Sequence, residues 1–302
     1  MTEFLQQFIN GLSLGSVYAL MALGYTMVYG VLRLINFAHG EVFMVGAYVG
    51  LYTSRALGVE RQTAEFPPYL ALLVLVFSML ACGALGVLIE RVAYRPVRHA
   101  PRFTPLITAI GMSLLLQNLG MLIFSPNPQY YPPILKEVRF DLGGVILTNI
   151  KVAIFGVAIL CMGGLYWLVH RTWTGKAMRA VSMNLAAARL MGINTNRVIS
   201  VTFALGSALA AAGGILFGLD QIIVNPLIGV LTGLKAFVAA VLGGIGSIPG
   251  AMLGGLLIGL AEQLTAGYLS PDYRDAIIFA ILIVILLFKP EGLLGTVRQE
   301  KV

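Results

Sequence analysis

Apolar residues fall into long runs separated by short polar stretches. The runs cover about 8–32, 38–54, 67–89, 104–124, 150–170, 198–219, 229–244, 249–267 and 274–288. A helix needs roughly 20 mostly apolar residues to cross a bilayer. The pattern therefore predicts an all-α polytopic transmembrane protein of about eight to nine spans, with Gly/Pro-interrupted segments. The second and seventh runs are short and adjoin polar or Gly-rich breaks, and the eighth carries Glu262. With 302 residues the spans leave no room for a soluble domain, so 1–302 is expected to form a single transmembrane domain.

The connections carry the orientation. Arg91, Arg95, Arg98 and Arg102 punctuate one of them, and Arg171, Lys176, Arg179, Arg189 and Arg197 another, in both cases without an intervening acid. Unbalanced Lys and Arg near span ends mark the cytoplasmic side. Trp167 and Trp173 flank the start of the second connection, where an aromatic belt belongs, and Lys289, Arg298 and Lys301 give the C terminus the same side. Counting back through three spans puts the N terminus outside. The connection from Ser125 to Asn149 then also lies outside. Pro126, Pro128, Pro132 and Pro133 forbid a helix early in it, and Val138–Thr148 reads as a short β-hairpin around Gly143-Gly144.

Composition agrees. Hydrophobic residues make up 58% of the chain and charged ones 11%, where soluble proteins carry roughly 25% charged residues. The net charge of +7 is spread between apolar runs, which is an orientation signal and not a nucleic-acid face. Cys82 and Cys161 lie within apolar runs and read as small core residues. Met1–Gln7 has no Lys or Arg, so the first run reads as a retained span and not a signal peptide.

Two kinds of glycine pattern stand out. Gly206, Ala210, Gly214 and Gly218 recur every four residues, as do Gly246, Gly250 and Gly254 with Gly255 and Gly259 beside them. Such stripes let helix backbones approach closely in lipid. Two breaks, Asn36-Phe37-Ala38-His39-Gly40-Glu41 and Gly243-Gly244-Ile245-Gly246-Ser247-Ile248-Pro249-Gly250, interrupt apolar regions in the two halves. Paired interruptions of this kind point to a translocation pathway; ordinary surface loops are the alternative. Asn36, His39, Glu41, Gly244, Gly246, Ser247 and Glu262 are the pathway candidates. His39 stands close enough to Glu41 in sequence to pair with it, while Arg33 and Lys235 are expected to snorkel to an interface.

Several chemistries are missing. No Gly-x-x-x-x-Gly-Lys-[Ser/Thr] phosphate loop occurs, so this chain is not an ATPase. His39, His99 and His170 are far apart and form no metal motif. Gly11-Leu12-Ser13-Leu14-Gly15 matches the nucleophile-elbow text, but that motif needs a strand, a turn and a helix.

The long basic connection, about 171–197, is the most informative segment. Met183–Met191 is rich in helix formers, Asn184 can cap it and Gly192 can end it, which predicts a short amphipathic helix over 183–192. This stretch resembles the coupling segment of ABC-importer permeases, on Ala186, Ala187, Gly192 and Ile193; Leu185 stands where the usual Glu precedes the paired Ala. Asn10–Gly24, Leu34–Glu41, Gly192-Ile193-Asn194 and Ala239–Gly250 resemble the branched-chain amino acid ABC-importer permeases, in particular the H-type subunit of the leucine/isoleucine/valine importers.

The resemblance covers about residues 8–295. It implies a permease that works with a second, homologous permease subunit, two cytoplasmic ATPases and a periplasmic amino-acid-binding protein. The chain itself would bind no cofactor, ATP and Mg being used by the ATPases. Asn184, Ala186, Ala187, Arg189, Gly192 and Ile193 would form the ATPase-coupling interface. The rival readings are an ion-coupled secondary transporter of small amino acids or amides, and an intramembrane hydrolase using Ser13.

Overall fold

A computed structural model describes residues 2–59, 67–98, 100–101, 103–141 and 143–295. Met1, His99, Arg102, Leu142, Arg298 and Lys301 lie outside the described residues. Every apolar run becomes a helix: α1 (Thr2–Leu32), α2 (His39–Ala56), α3 (Pro68–Ile89), α5 (Phe103–Phe124), α6 (Asn149–Arg171), α9 (Thr195–Gln221), α10 (Ile228–Gly243), α11 (Ile248–Tyr268) and α12 (Arg274–Phe288). Between them lie α4 (Arg95–Val97), α7 (Trp173–Met183) and α8 (Leu185–Leu190). Six stretches are long and apolar enough to cross a membrane: α1, Pro68–Val97, α5, α6, α9 and α11. The chain is thus an all-α polytopic membrane protein, with α2, α10 and α12 as shorter helices within the bundle.

The centre is α1, buried from Ser13 to Val28 and packed against α9, α10 and α11. Glycines set these distances. A Cβ on Gly15 would stand 2.8 Å from Leu256 Cα, and one on Gly11 2.9 Å from Leu260 Cα, both nearer than real side chains come. Gly255 and Gly259 face Ala19 and Gly15 in return, and Gly206 meets Gly24. The predicted stripes are therefore packing seams except at Gly246, which lies in the turn before α11 with open space around it, and the Gly-x-Ser-x-Gly text is one of the seams. Ser13 Oγ is buried in α1 without a hydrogen-bond partner, so no base attends it and the hydrolase reading has no support. On the periphery α3, α5 and α6 expose Leu72, Leu80, Leu122 and Leu160, the surface expected toward lipid.

The two ends of the bundle differ. At one, β2 (Arg139–Asp141) pairs antiparallel with β3 (Ile146–Thr148), and Gly143 and Gly144 turn between them with positive φ. This is the predicted hairpin. The sequence reading missed a second pairing, in which β1 (Gln129–Tyr130) joins β4 (Ile223–Val224) just after α9. At the other end lie the basic residues, α7 and α8.

These seams can be tested against a lipid-facing control. Gly259→Val places a branched side chain against Gly15 and Gly11, whereas Gly163 in α6 has open space around it. Overpacking costs about 1–3 kcal/mol or more. Gly259→Val is expected to lower the melting temperature of the detergent-purified protein by several degrees, and Gly163→Val to leave it unchanged; equal values would show that the seam does not hold the bundle.

Candidate functional site

At the basic end, Asn184 splits the predicted 183–192 helix in two. Its backbone is extended, ending α7 and starting α8, and its side-chain oxygen accepts from Ala186 N at 2.9 Å and Ala187 N at 3.0 Å. The helix is therefore 185–190, a correction that follows from the strength of Asn184 as an N-cap. Gly192, at φ +80°, closes it, with Gly192 N donating to Arg189 O and Ile193 N to Ala188 O. Only glycine takes that geometry without strain. Ala188 faces inward, while Ala186 and Ala187 are exposed and Leu190 and Met191 are 89% and 82% accessible. A capped, closed helix thus presents small and apolar side chains outside the bundle.

From this helix a chain of polar contacts runs inward. Arg189 Nε donates to Thr195 Oγ1 at the start of α9 (3.0 Å). One turn on, Ser200 donates to Glu90 Oε2 at 2.7 Å, and Arg95 bridges Glu90 and Ser200. Glu90 opens a π-helical stretch, Glu90–Tyr94, that continues α3. Such stretches widen a helix and recur at functional sites. Here it carries Tyr94, whose hydroxyl donates to Asn36 Oδ1 at 2.8 Å, with both residues buried. The first broken segment is thereby tied to the stretch that Arg95 and Ser200 hold against α9. Nothing in the sequence singled out Tyr94, Ser200 or Arg95 for this; the one signal was Glu90, an acid at the end of an apolar run.

The break itself lies inside the bundle. The ring of His39 fills the space opposite Gly24 of α1 and stacks edge-on against Tyr25 at 4.7 Å. From there α2 runs beside the second half of α9, with Gly46 against Ala211 and Gly50 against Ile215. The N-terminus of α2 also meets that of α10, since Gly40 packs against Gly229 and Gly233. Neither first turn has a side-chain cap. Glu41 Oε1 accepts from Ser113 Oγ at 3.3 Å, while Oε2 has no partner. His39 does not pair with Glu41: residues two apart on a helix point to different faces, and His39 Nε2 turns toward Gly24.

The other candidates lie elsewhere. Gly244 and Gly246, both with positive φ, form the turn between α10 and α11, and Ser247 caps α11 by accepting from Gly250 N at 3.2 Å. Leu293 N and Leu294 N donate to Leu242 O and Gly243 O, so the tail closes over this turn. It stands near Gly30 in the last turns of α1, and its Ile245 lines a small cavity with Ile35 of the first break. Glu262 belongs to a third cluster. Lys235 Nζ lies 2.8 Å from Glu262 Oε1 and 2.7 Å from Asp275 Oδ1, and Tyr18 donates to Glu262 Oε2 at 2.7 Å. Lys235 thus does not snorkel as expected; two carboxylates hold it between α10, α11 and α12.

The whole of this frame has known counterparts. Residues 7–286 match the family described as branched-chain amino acid transport system / permease component. The chain belongs to this family. It is 46% identical to the high-affinity branched-chain amino acid transport system permease protein BraD of Pseudomonas aeruginosa, over 99% of this chain and 98% of that one. With LivH of Escherichia coli, a protein described in the same words, the identity is 45% over the same shares. No solved structure matches the chain.

The Lys235 cluster makes an asymmetric prediction for this permease. Removing one partner of a buried pair costs about 3–5 kcal/mol because a charge is left uncompensated. Lys235→Met strands Glu262, whereas Glu262→Gln leaves Lys235 with Asp275. Lys235→Met is therefore expected to reduce the yield of monodisperse protein far more than Glu262→Gln, and the double variant to recover part of the loss. Equal yields from the two single variants would contradict the geometry.

Proposed function

We propose that the chain is the single-domain permease subunit of an ATP-driven importer that moves leucine, isoleucine and valine across a bacterial inner membrane. The observation that carries this reading is α8. Outside an apolar bundle, a six-residue helix capped by Asn184 and closed by Gly192 leaves Ala186, Ala187, Leu190 and Met191 exposed. Small and apolar side chains at such a place fit a protein partner. An ATPase pair supplies nucleotide chemistry, and a second permease and a periplasmic receptor that delivers the substrate complete the importer. ATP and Mg belong to those ATPases.

On this reading the basic end and the C terminus are cytoplasmic, and the N terminus and the 125–148 connection periplasmic. Force on α8 passes through Arg189, Thr195, Ser200, Glu90 and Tyr94 to Asn36. The interior break at Asn36, His39 and Glu41 then lines the pathway, and Gly244, Gly246 and Ser247 form a hinge at its cytoplasmic end. The substrates follow from those named for BraD and LivH.

The test is at α8. In an ATPase groove, Ala187→Arg buries an unpaired charge at a cost of several kcal/mol, enough to weaken assembly by orders of magnitude. Gly192→Val strains the left-handed turn that closes the helix. Both side chains face open space in this chain alone, so the variants are expected to insert and purify normally, yet to lose the co-purified ATPase and ATP-driven leucine uptake. Retention of both at wild-type levels would reduce α8 to a linker.

A further inference from the structure

We propose that Glu41, where the N-termini of α2 and α10 meet, is a subsite for a zwitterionic amino acid: its carboxylate takes the substrate's ammonium group, and the two helix N-termini face the substrate's carboxylate. The inference rests on the reading that amino acids pass through this chain, and it assigns the place where they are held.

Three independent features converge there. Glu41 is 1% exposed, yet Oε2 has no hydrogen-bond partner. A buried, unpaired carboxylate oxygen is costly, and ionisable groups at membrane depth are retained for function. That oxygen is aimed at the first turn of α10: a Cβ on Gly229 would stand 2.9 Å from it. Next, both first turns lack side-chain caps, and although His39 N, Ile228 N and Val230 N donate to Asn36 O, Asn225 O and Leu227 O, the positive ends of two helix dipoles meet at one interior point. Finally, Gly40, Gly229 and Gly233 leave no side chain between these groups. In the present closed arrangement the two turns touch. Parting α2 from α10 by the size of a small solute would expose an acid and two dipole ends a few ångströms apart. That is the charge pattern of an amino acid's head group. An uncharged amide gains little from it.

A structural alternative is that Glu41 serves only to neutralise the dipole of α10, and the experiment separates the two. The complete importer, with its ATPases, second permease and receptor, is reconstituted in proteoliposomes with wild-type, Glu41→Gln or Glu41→Asp permease. Gln keeps the shape and the Ser113 contact but removes the charge. Leucine uptake with Glu41→Gln is expected to fall at least tenfold. ATP hydrolysis stimulated by the loaded receptor should stay within twofold of wild type, and the melting temperature should be unchanged. Glu41→Asp should restore much of the uptake. Wild-type uptake in Glu41→Gln overturns the proposal; so does a parallel fall of uptake, hydrolysis and melting temperature in both variants, which shows a structural role. The wild-type importer tests the parent reading separately. If it carries another amino acid in place of leucine, the leucine assignment fails and the tenfold loss is expected with that solute. If it carries only uncharged amides, the ammonium subsite is overturned.

Discussion

In a bilayer, apolar side chains gain nothing by leaving lipid for one another, so helices associate through close van der Waals contact or through polar groups that need partners. This constraint shapes the bundle from α1 outward. Its Gly11 and Gly15 meet Gly255, Gly259, Leu256 and Leu260 across seams too narrow for a Cβ, and its Gly24 packs tightly on Gly206. Once α1 is enclosed, α9 and α11 are fixed against it, and α2 and α10 are carried on those two. Polar contact adds to these seams: Lys235, Glu262, Asp275 and Tyr18 join α10, α11, α12 and α1.

The same tight packing permits an interior break. Backbone that leaves the helical ladder inside a membrane must be shielded or satisfied. At residues 33–38 this is achieved by Tyr94 on Asn36 and by Gly24, which leaves room for His39. Tyr94 lies at the end of the π-helical stretch, and Glu90, Arg95 and Ser200 pin that stretch to α9. An interior feature and a surface helix are joined by short polar contacts within one rigid frame. In the proposed function this is the route by which a shift at α8 reaches the break.

Much of this was legible in the chain. Hydrophobic runs located every long helix, because in lipid length and apolarity decide the matter with little interference from tertiary context. Asn184 and Gly192 marked α8 because cap chemistry is local; they also placed its start two residues late relative to the expected 183. What stayed hidden depends on contacts between distant segments. Lys235 reads as a snorkelling end until Glu262 and Asp275 arrive from other helices. His39 and Glu41 look like a pair until the helix turns them to different faces. Gly244–Ser247 and Asn36–Glu41 look alike as broken segments, yet one is an end turn under the C-terminal tail and the other is interior. A pairing such as β1 with β4, between strands of two residues, leaves almost no pattern to read.

In the proposed function force arrives from ATP through α8 and not from an ion gradient through the buried acids. The direct measurement is leucine uptake by the complete importer in proteoliposomes, with ATP supplied on the ATPase side and the proton and sodium gradients set or collapsed at will. The account predicts uptake that requires ATP and loaded receptor and is unchanged when both gradients are collapsed. Uptake driven by an imposed gradient in the absence of ATP would contradict it.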